Sequence, residues 1–143
     1  GVRIVENNDF LTRNNNSSIY AVREYLKNTY ICSADNYFTI NPFNKTEYES
    51  YYAAVYSQGQ TSEWCMQVDG EGYIHDVTIG GIDSWYMLGH AFWDEVFSSK
   101  FIEILRMEYE LPETKNKFWE DIFIEHTYGC LAISFNVYSN ICF

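Results

Sequence analysis

The spacing of apolar residues at the start of the chain predicts two strands on either side of a helix. Residues 2–5 are mostly apolar and predict a first strand, and the Asn-rich residues 7–18 predict a loop. Apolar side chains then recur at helical spacing over residues 19–27, and residues 29–33 predict a second strand. A strand–helix–strand order is typical of a parallel α/β sheet.

The middle of the chain changes to the alternation that is typical of antiparallel strands. Apolar and polar residues alternate over residues 64–68 and again over 73–79, and the turn sequence DGEG at 69–72 lies between them. This pattern predicts a β-hairpin. The glycine pair at 80–81 would end it and residues 85–88 predict a further strand, so an antiparallel insertion follows the parallel part.

Helices return in the last third of the chain. Apolar residues share one face of a predicted helix over residues 97–105, Pro112 follows it, and residues 117–125 predict another helix. Beyond residue 126 a strand is compatible with the sequence, which has no amphipathic period there. The cap candidates of the first two helices are Asn16, Ser17, Asp94 and Ser98.

The composition fits a folded domain and disfavours several classes of function. A length of 143 residues suits one domain, residues 1–143, and an apolar fraction of 47% provides its core. The net charge of −11 disfavours binding along a nucleic-acid backbone, although a metal ion can still hold the phosphates of a small nucleotide. No apolar run reaches the length of a membrane span, and the first residues do not resemble a signal peptide. The cysteines are widely spaced, form no metal-binding motif and fit free, buried thiols of a cytoplasmic protein, and they are Cys32, Cys65, Cys130 and Cys142.

Two groups of acids are candidates for metal binding. Asp35 follows the predicted strand at 29–33, and ligands of α/β sheets bind at the ends of strands. A carboxylate at that place either binds Mg²⁺ or, like the neighbouring Asn36, hydrogen-bonds its own turn. Glu120 and Asp121 lie on a predicted helix, where neighbours diverge by about 100°, so at most one of them faces a given site. A solvated helix face is the simpler interpretation of this pair.

Aromatic residues are the third group of candidates. Aromatic faces attract quaternary ammonium groups, and an acidic protein adds a favourable field. For each ring taken singly, packing in the core is the simpler interpretation. His75, His90 and His126 share no motif, and the chain contains neither a nucleophile elbow nor a Gly-rich phosphate loop. The rings that would suit the walls of a cationic site are Trp64, Trp85, Tyr86, Trp93 and Phe118.

Several segments together resemble a known family of enzymes. In chain order they are GVRIV, NNNSSIYAVREYL, YICSADNYF, SEW, FWDEVFSSKFIEIL and KFWEDIFIEH. Their order is similar to that in bacterial nucleotidyltransferases of the CTP:phosphocholine cytidylyltransferase type, over about residues 1–126. The resemblance implies a Rossmann-like nucleotidyltransferase fold, with a mixed, three-layer α/β sheet that is truncated at the N-terminus and carries the antiparallel insertion. It also implies a reaction in which phosphocholine, or a similar phospho-alcohol, attacks CTP to give the CDP-alcohol and pyrophosphate.

Matching positions imply roles for individual residues. Asp35 in ADNY and Glu120 in WED resemble two catalytic carboxylates that bind Mg²⁺, and Asp121 is ranked behind Glu120 as a ligand. Trp64 resembles an aromatic wall of the choline pocket. Phe118 stands where relatives carry a tyrosine with that role, so the ring face is kept and the hydroxyl is lost. The expected substrate contacts are Trp64, Phe118, Tyr86 and Asn36.

Two departures from the family pattern affect the expected function. The family opens with a Gly-rich LAAGxGxR-type loop and a PK lysine that hold the triphosphate, and neither is present in these residues. The nucleotide-binding residues therefore stay unknown, and we expect the isolated chain to be weak or inactive. The sequence after IEH also diverges. A sheet without its first strands would expose an edge, which predicts a homodimer or other self-association.

Two other functions remain open from the sequence. One is a non-catalytic module that binds choline or phosphocholine, or serves in assembly, and keeps the aromatic pocket without turnover. The other is a nucleotidyltransferase that acts on a sugar phosphate. Trp64 and the surplus of aromatic residues favour a cationic ligand over a sugar.

Overall fold

The structure is a computed structural model that describes residues 1–127 and 131–137, and it contains two compact units. Within these ranges, no helix combines the length and the apolar character that crossing a membrane requires. The expectation of one domain over the whole chain stays a prediction. The helical unit comprises residues 1–27 and 95–131, and the sheet unit comprises residues 28–94 and 132–143.

Helices and 3₁₀ turns build the described part of the helical unit. Each helix that the apolar spacing predicts is confirmed, and the segment that begins at Pro112 forms a 3₁₀ turn between the last two helices. The helices are α1 (Asn16–Val22), α2 (Glu95–Glu108) and α3 (Trp119–Glu125), and the 3₁₀ turns are Arg23–Tyr25 and Pro112–Asn116.

The buried faces of α2 and α3 are the ones that the sequence predicts. Phe97, Phe101 and Leu105 of α2 are buried, as are Trp119 and Phe123 of α3. The rings of Phe97 and Phe101 stack with 5.9 Å between centroids, and Phe101 meets Trp119 edge to face at 6.0 Å. Stacked and edge-to-face rings are the arrangements that aromatic quadrupoles favour, so ring contacts join the two helices.

A second group of ring contacts packs the loop before α1 onto the helical unit. Tyr20 and Tyr109 stack with 3.7 Å between ring centroids, and the guanidinium groups of Arg23 and Arg13 lie over these rings at 4.0 and 3.8 Å. The hydroxyl of the buried Tyr109 donates a hydrogen bond of 2.6 Å to Asp9. Cation–π contacts strengthen when the ring is shielded from water, so this cluster stabilises the loop.

The predicted caps of α1 are wrong. The helix begins at Asn16, so Asn15 holds the N-cap position, and Asn16 and Ser17 are buried inside the first turn. Ser17 donates a hydrogen bond of 2.8 Å to the backbone oxygen of Asn14. Asn16 donates one of 2.9 Å to the backbone oxygen of Thr114. These side chains therefore bond outside α1 instead of capping it.

The two cap candidates of α2 have different roles. The helix begins at Glu95, so Asp94 directly precedes it, whereas Ser98 lies within the first turn and is buried. The hydroxyl of Ser98 donates a hydrogen bond of 2.5 Å to the backbone oxygen of Lys27. Ser98 therefore joins α2 to the segment that follows α1.

The described strands of the sheet unit form one mixed sheet in the order β1-β3-β2-β4. β3 pairs antiparallel with both β1 and β2, and β2 pairs parallel with β4. The predicted mixed sheet is therefore confirmed. The strands are β1 (Thr29–Cys32), β2 (Tyr51–Val68), β3 (Ile74–Trp93) and β4 (Ser134–Val137).

The predicted hairpin is confirmed and is longer than its pattern indicates. Asp69 holds the DGEG turn, because its carboxylate accepts hydrogen bonds of 2.9 Å from the N–H groups of both Glu71 and Tyr73. Gly80 and Gly81 lie inside β3 and do not end it. Gly80 has a φ of +83°, and the register of β2 against β3 shifts at several bulges. One bent hairpin therefore replaces the separate strands that were predicted.

The prediction of a parallel strand–helix–strand opening is wrong. Residues 2–5 form no strand within the described part of the chain, and the side chains of Val2 and Ile4 are 95% and 92% exposed. β1 pairs antiparallel with β3, where Thr29 lies opposite Trp93. A strand needs a neighbour for its backbone hydrogen bonds, and the described residues supply none for this segment.

The cysteines only partly follow the prediction of free, buried thiols. Cys65 is free and buried, as predicted, whereas Cys32 is free but exposed at the end of β1. Cys130 and Cys142 lie outside the described residues.

Candidate functional site

Asp35 lies in a short turn that leaves β1 and is fixed to β3 on both sides. The N–H of Ser33 donates a hydrogen bond of 2.8 Å to the backbone oxygen of Gly89. The side-chain amide of Asn36 donates one of 2.9 Å to the backbone oxygen of Leu88. Asp35 itself is exposed, and within residues 1–127 and 131–137 its carboxylate has no hydrogen bond or ion pair.

Gly89 allows this turn to approach the sheet so closely. Its φ is +87°, a conformation that residues with a side chain rarely adopt. A Cβ at this position would lie 3.0 Å from the amide nitrogen of Asn36 and 3.1 Å from the hydroxyl oxygen of Ser33. Any side chain at Gly89 would therefore strain the backbone and displace the turn that carries Asp35.

The hydrogen bonds of this turn bear on the two interpretations of Asp35. The side chain of Asn36 bonds to β3 and not to its own turn, and the turn forms without using the carboxylate of Asp35. The carboxylate of Asp35 is exposed and is therefore accessible to a ligand. The argument from parallel strand ends does not apply, because β1 is antiparallel to its neighbour.

The SEW segment and Tyr86 come together in the β2–β3 hairpin. Tyr86 pairs with Cys65, the residue after Trp64, and both aromatic residues are half-buried. Burial raises the pKa of the Tyr86 hydroxyl, and the negative charge of Glu63 raises it further. Tyr86 beside Glu63 provides an aromatic ring and an acid, the chemistry that a cationic head group needs, whereas Trp64 pairs with Ile79. Sequence reasoning missed Glu63, although it is the central residue of SEW.

Of the two other candidate rings of the sheet unit, Trp93 lies in the core, whereas Trp85 is half-buried and packs on neighbouring rings. Trp93 is fully buried. Trp85 packs edge to face on Tyr56 at 5.1 Å and lies 5.8 Å from Phe135, both distances joining ring centroids. These rings therefore stabilise the sheet unit.

The WED segment forms the first turn of α3 in the helical unit. Phe118 holds the N-cap position and is 39% exposed, so its ring is accessible. The N–H of Phe118 donates a hydrogen bond of 2.7 Å to the carboxylate of Asp121, as in a capping box. The carboxylate of Glu120 is half-buried and accepts a hydrogen bond of 3.2 Å from the side-chain amide of Asn15. Asp121 thus serves the helix end, which supports Glu120 as the better ligand candidate.

His90 is a core residue of β3. It is buried, and its ring meets that of Phe38 edge to face at 5.2 Å. Burial lowers the pKa of His90 to about 4. The ring is therefore uncharged at neutral pH, which fits its apolar surroundings.

A histidine and several charged residues meet where α2 and α3 end. Ligand atoms of Glu108, Glu125 and His126 all lie within 4.8 Å of one another, which is close enough for a metal site. These groups are already paired, because Nε2 of His126 lies 2.6 Å from Glu108 and Nζ of Lys117 lies 2.6 Å from Glu125. Because these groups already bond to one another, we interpret the cluster as a network of one histidine–carboxylate contact and one ion pair.

The structure thus places the predicted site residues in separate groups. The sheet unit holds Asp35 beside Asn36, and it holds Trp64 next to the residue that pairs with Tyr86. Asp35 and Glu120 offer carboxylate oxygens, the ligands that Mg²⁺ prefers. Their roles in metal binding and catalysis stay predictions. The group in the first turn of α3 comprises Phe118, Glu120 and Asp121.

Comparisons of sequence identify relatives of this chain, although no protein-family model matches it. The chain is 30% identical over 122 residues to choline-phosphate cytidylyltransferase from Streptococcus pneumoniae, and the match covers 85% of this chain and 53% of that protein. It is 29% identical over 128 residues to 2-aminoethylphosphonate cytidylyltransferase from Lancefieldella rimae, which covers 87% of this chain and 52% of that protein. The chain therefore spans about half the length of the curated relatives it matches.

Comparison of structures gives the same result. The fold matches the solved structure of the CTP:phosphocholine cytidylyltransferase from Streptococcus pneumoniae with a TM-score of 0.88 and 26% sequence identity. The match covers 99% of this chain and 61% of that chain. It confirms the α/β, Rossmann-like nucleotidyltransferase fold that the sequence resemblance implies.

Proposed function

We propose that this chain, which resembles the CTP:phosphocholine cytidylyltransferases in sequence and in fold, serves in transferring a cytidylyl group from CTP to a small phosphate or phosphonate with a cationic nitrogen. In that reaction a phosphorus-bound oxygen of the substrate attacks the α-phosphorus of CTP. The bond from the α-phosphorus to the bridging oxygen breaks, and pyrophosphate leaves. The observation that carries the proposal is the exposed carboxylate of Asp35, which has no hydrogen bond or ion pair within residues 1–127 and 131–137 and lies in the segment that resembles the family's metal-binding motif.

Asp35 and Glu120 are each proposed as a ligand of Mg²⁺, with Asp121 as the weaker candidate. The donors fit this ion, because Mg²⁺ takes oxygen ligands and often only one or two protein carboxylates. Bound Mg²⁺ neutralises charge on the phosphates of a nucleotide. The protein's own contribution is to bind and orient the reactants, and the fixed turn of Asp35 supports that role.

The aromatic residues of the hairpin support a cationic substrate. Both named relatives act on compounds with a charged nitrogen, a quaternary one in choline and a primary one in aminoethylphosphonate. Trp64 and Tyr86 would face such a group with their rings, and Glu63 would add a negative charge. A sugar phosphate lacks this charge, so it is the less supported substrate.

A cytoplasmic location is part of the proposal. The thiol of Cys32 is free and exposed, and exposed thiols persist in reducing compartments. A secreted form in which Cys32 is found oxidised would contradict this location.

Calorimetric titrations test the proposed function. The chain is titrated with CTP in the presence of Mg²⁺, with phosphocholine and with 2-aminoethylphosphonate. We expect Asp35→Asn to weaken CTP binding more than about tenfold, since even a lost outer-shell contact costs that much in metal affinity. We expect Trp64→Ala to weaken phosphocholine binding by about 3- to 30-fold, the range of one cation–π contact.

Two exposed residues of the same unit provide matched controls. Glu49→Gln removes another exposed acid, and Tyr48→Ala removes an aromatic side chain that is 92% exposed. Neither control should change the affinities. Binding of phosphocholine without CTP would favour the non-catalytic module, and binding of neither ligand would refute the proposal.

A further inference from the structure

Consecutive asparagines at the start of α1 bind the segment that leads into α3. The side-chain amide of Asn14 donates a hydrogen bond of 3.1 Å to the backbone oxygen of Asn116. The amide of Asn16 donates one of 2.9 Å to the backbone oxygen of Thr114. These two residues contact backbone atoms, so they fix the path of the chain before α3 but do not contact any candidate site residue.

Asn15 differs from both neighbours because it contacts a candidate metal ligand. Its side-chain oxygen accepts a hydrogen bond of 2.7 Å from the N–H of Trp119, the first residue of α3. Its side-chain nitrogen donates one of 3.2 Å to Oε2 of Glu120. The oxygen of this amide accepts one bond and its nitrogen donates the other. A flipped amide would set its nitrogen against the N–H of Trp119 and its oxygen against the carboxylate of Glu120, so both bonds would be lost.

Asn15 also lacks the cap hydrogen bond that an asparagine at an N-cap position usually makes. It is the N-cap residue of α1, where asparagine normally bonds to its own helix and stabilises it by about 1 kcal/mol. Here Asn15 makes no side-chain cap hydrogen bond to α1. The side chain bonds to α3 instead, and Glu120 lies 105 residues after Asn15 in the sequence.

We propose that Asn15 is a positioning residue that holds the Glu120 carboxylate in the orientation from which it binds the metal ion. The inference rests on the proposed function, in which Glu120 is a metal ligand. Carboxylate ligands are commonly oriented by hydrogen bonds from a second residue, and losing such a partner costs about 10- to 100-fold in metal affinity.

The test measures Mn²⁺ affinity by electron paramagnetic resonance, with CTP present, because Mn²⁺ takes the same oxygen ligands as Mg²⁺. The variants are Asn15→Ala, Glu120→Gln and the double variant. Asn14→Ala is the matched control, since it removes the amide bond to Asn116 and the bond that Oδ1 of Asn14 accepts from the N–H of Asn15, but leaves the side chain of Asn15 and its bonds to Trp119 and Glu120 in place. Asn15→Ser is a second variant that keeps a good N-cap residue for α1 and is too short to reach both partners. Melting curves in EDTA report the stability of each variant.

Each outcome decides the inference. We expect Asn15→Ala and Asn15→Ser to weaken Mn²⁺ binding about tenfold, Asn14→Ala to leave it within about twofold, and Asn15→Ala to add nothing when Glu120 is already replaced. Losses that add in the double variant would show a merely structural role and overturn the inference. Wild-type affinity in Asn15→Ala alone would overturn it and leave the proposed function intact. Wild-type affinity in Glu120→Gln would refute the metal role of Glu120 and the inference with it.

Discussion

Replacing Gly89 by alanine tests how the turn of Asp35 is held. A φ of +87° costs a residue with a side chain about 1–2 kcal/mol. The new Cβ would also lie 3.0 Å from the amide nitrogen of Asn36. Moving that amide away breaks its hydrogen bond to Leu88, which contributes about 1 kcal/mol. We therefore expect Gly89→Ala to lower the free energy of unfolding by about 2–3 kcal/mol.

Two other glycines separate the backbone strain from the contact with Asn36. Gly59 has a φ of +83° but open space around its Cβ position, so Gly59→Ala should cost only the strain, about 1–2 kcal/mol. Gly70 has open space and no positive φ, so Gly70→Ala should change stability by less than about 0.5 kcal/mol. Urea unfolding followed by circular dichroism gives all three values. In thermal melts Gly89→Ala should lower Tm by about 6–9 °C, at about 3 °C per kcal/mol.

The comparison of Gly89→Ala with Gly59→Ala tests whether the contact with Asn36 matters. Equal losses in Gly89→Ala and Gly59→Ala would show that the contact with Asn36 contributes nothing and that the turn is not fixed as described. Adding Asn36→Ala to Gly89→Ala should cost little more, because the hydrogen bond to Leu88 is already broken. Under the proposed function, Gly89→Ala should also weaken Mg²⁺-dependent binding of CTP, because it displaces Asp35.

Three further predictions concern the rest of the molecule. Burial holds the pKa of His90 at about 4, below its usual 6.5, so the unfolded state takes up more protons between these values. The free energy of unfolding therefore keeps its full value above pH 6.5 and falls by about 2 kcal/mol on going to pH 5. In urea unfolding, His90→Phe should show a smaller fall over the same pH range. Tyr109→Phe removes the hydrogen bond to Asp9 and should lower the free energy of unfolding by about 1–2 kcal/mol, whereas an unchanged melting curve would contradict that bond. The short edge strands β1 and β4 should support self-association, and a sharp monomer in light scattering at micromolar concentration would count against it.

Sequence patterns predicted the elements that local physics determines. The 3.6-residue period identifies α1, α2 and α3, and the DGEG turn identifies the hairpin, because neighbouring residues alone set both patterns. The prediction of a strand at residues 2–5 is wrong because a strand depends on more than its own residues. Its apolar residues suit a strand, but a strand also needs a hydrogen-bonding neighbour, and no local pattern shows whether one is present.

The candidate site also has features that follow from local sequence and features that depend on distant contacts. The position of Asp35 after a strand follows from the sequence, whereas its fixation through Gly89 depends on the register between β1 and β3. The asparagines at the start of α1 appear in the sequence as loop residues and caps. Asn16 instead binds Thr114, at a separation of 98 residues, which no window of local sequence reveals. The sequence pattern offers Glu120 and Asp121 as a pair of acids, and the resemblance to a family ranks Glu120 above Asp121 as a ligand.

The parallel pairing of β2 with β4 has a consequence for the order of folding. The hydroxyl of Ser134 bonds to the backbone oxygen of Ser50, 84 residues earlier, and the described part of β4 is residues 134–137. Closing so long a loop costs entropy before its contacts form, whereas the β2–β3 hairpin closes over a short turn. The hairpin should therefore appear early in refolding, and β4 should join last. In the folded protein the amide protons of β4 should exchange with solvent well before those at the centre of β3.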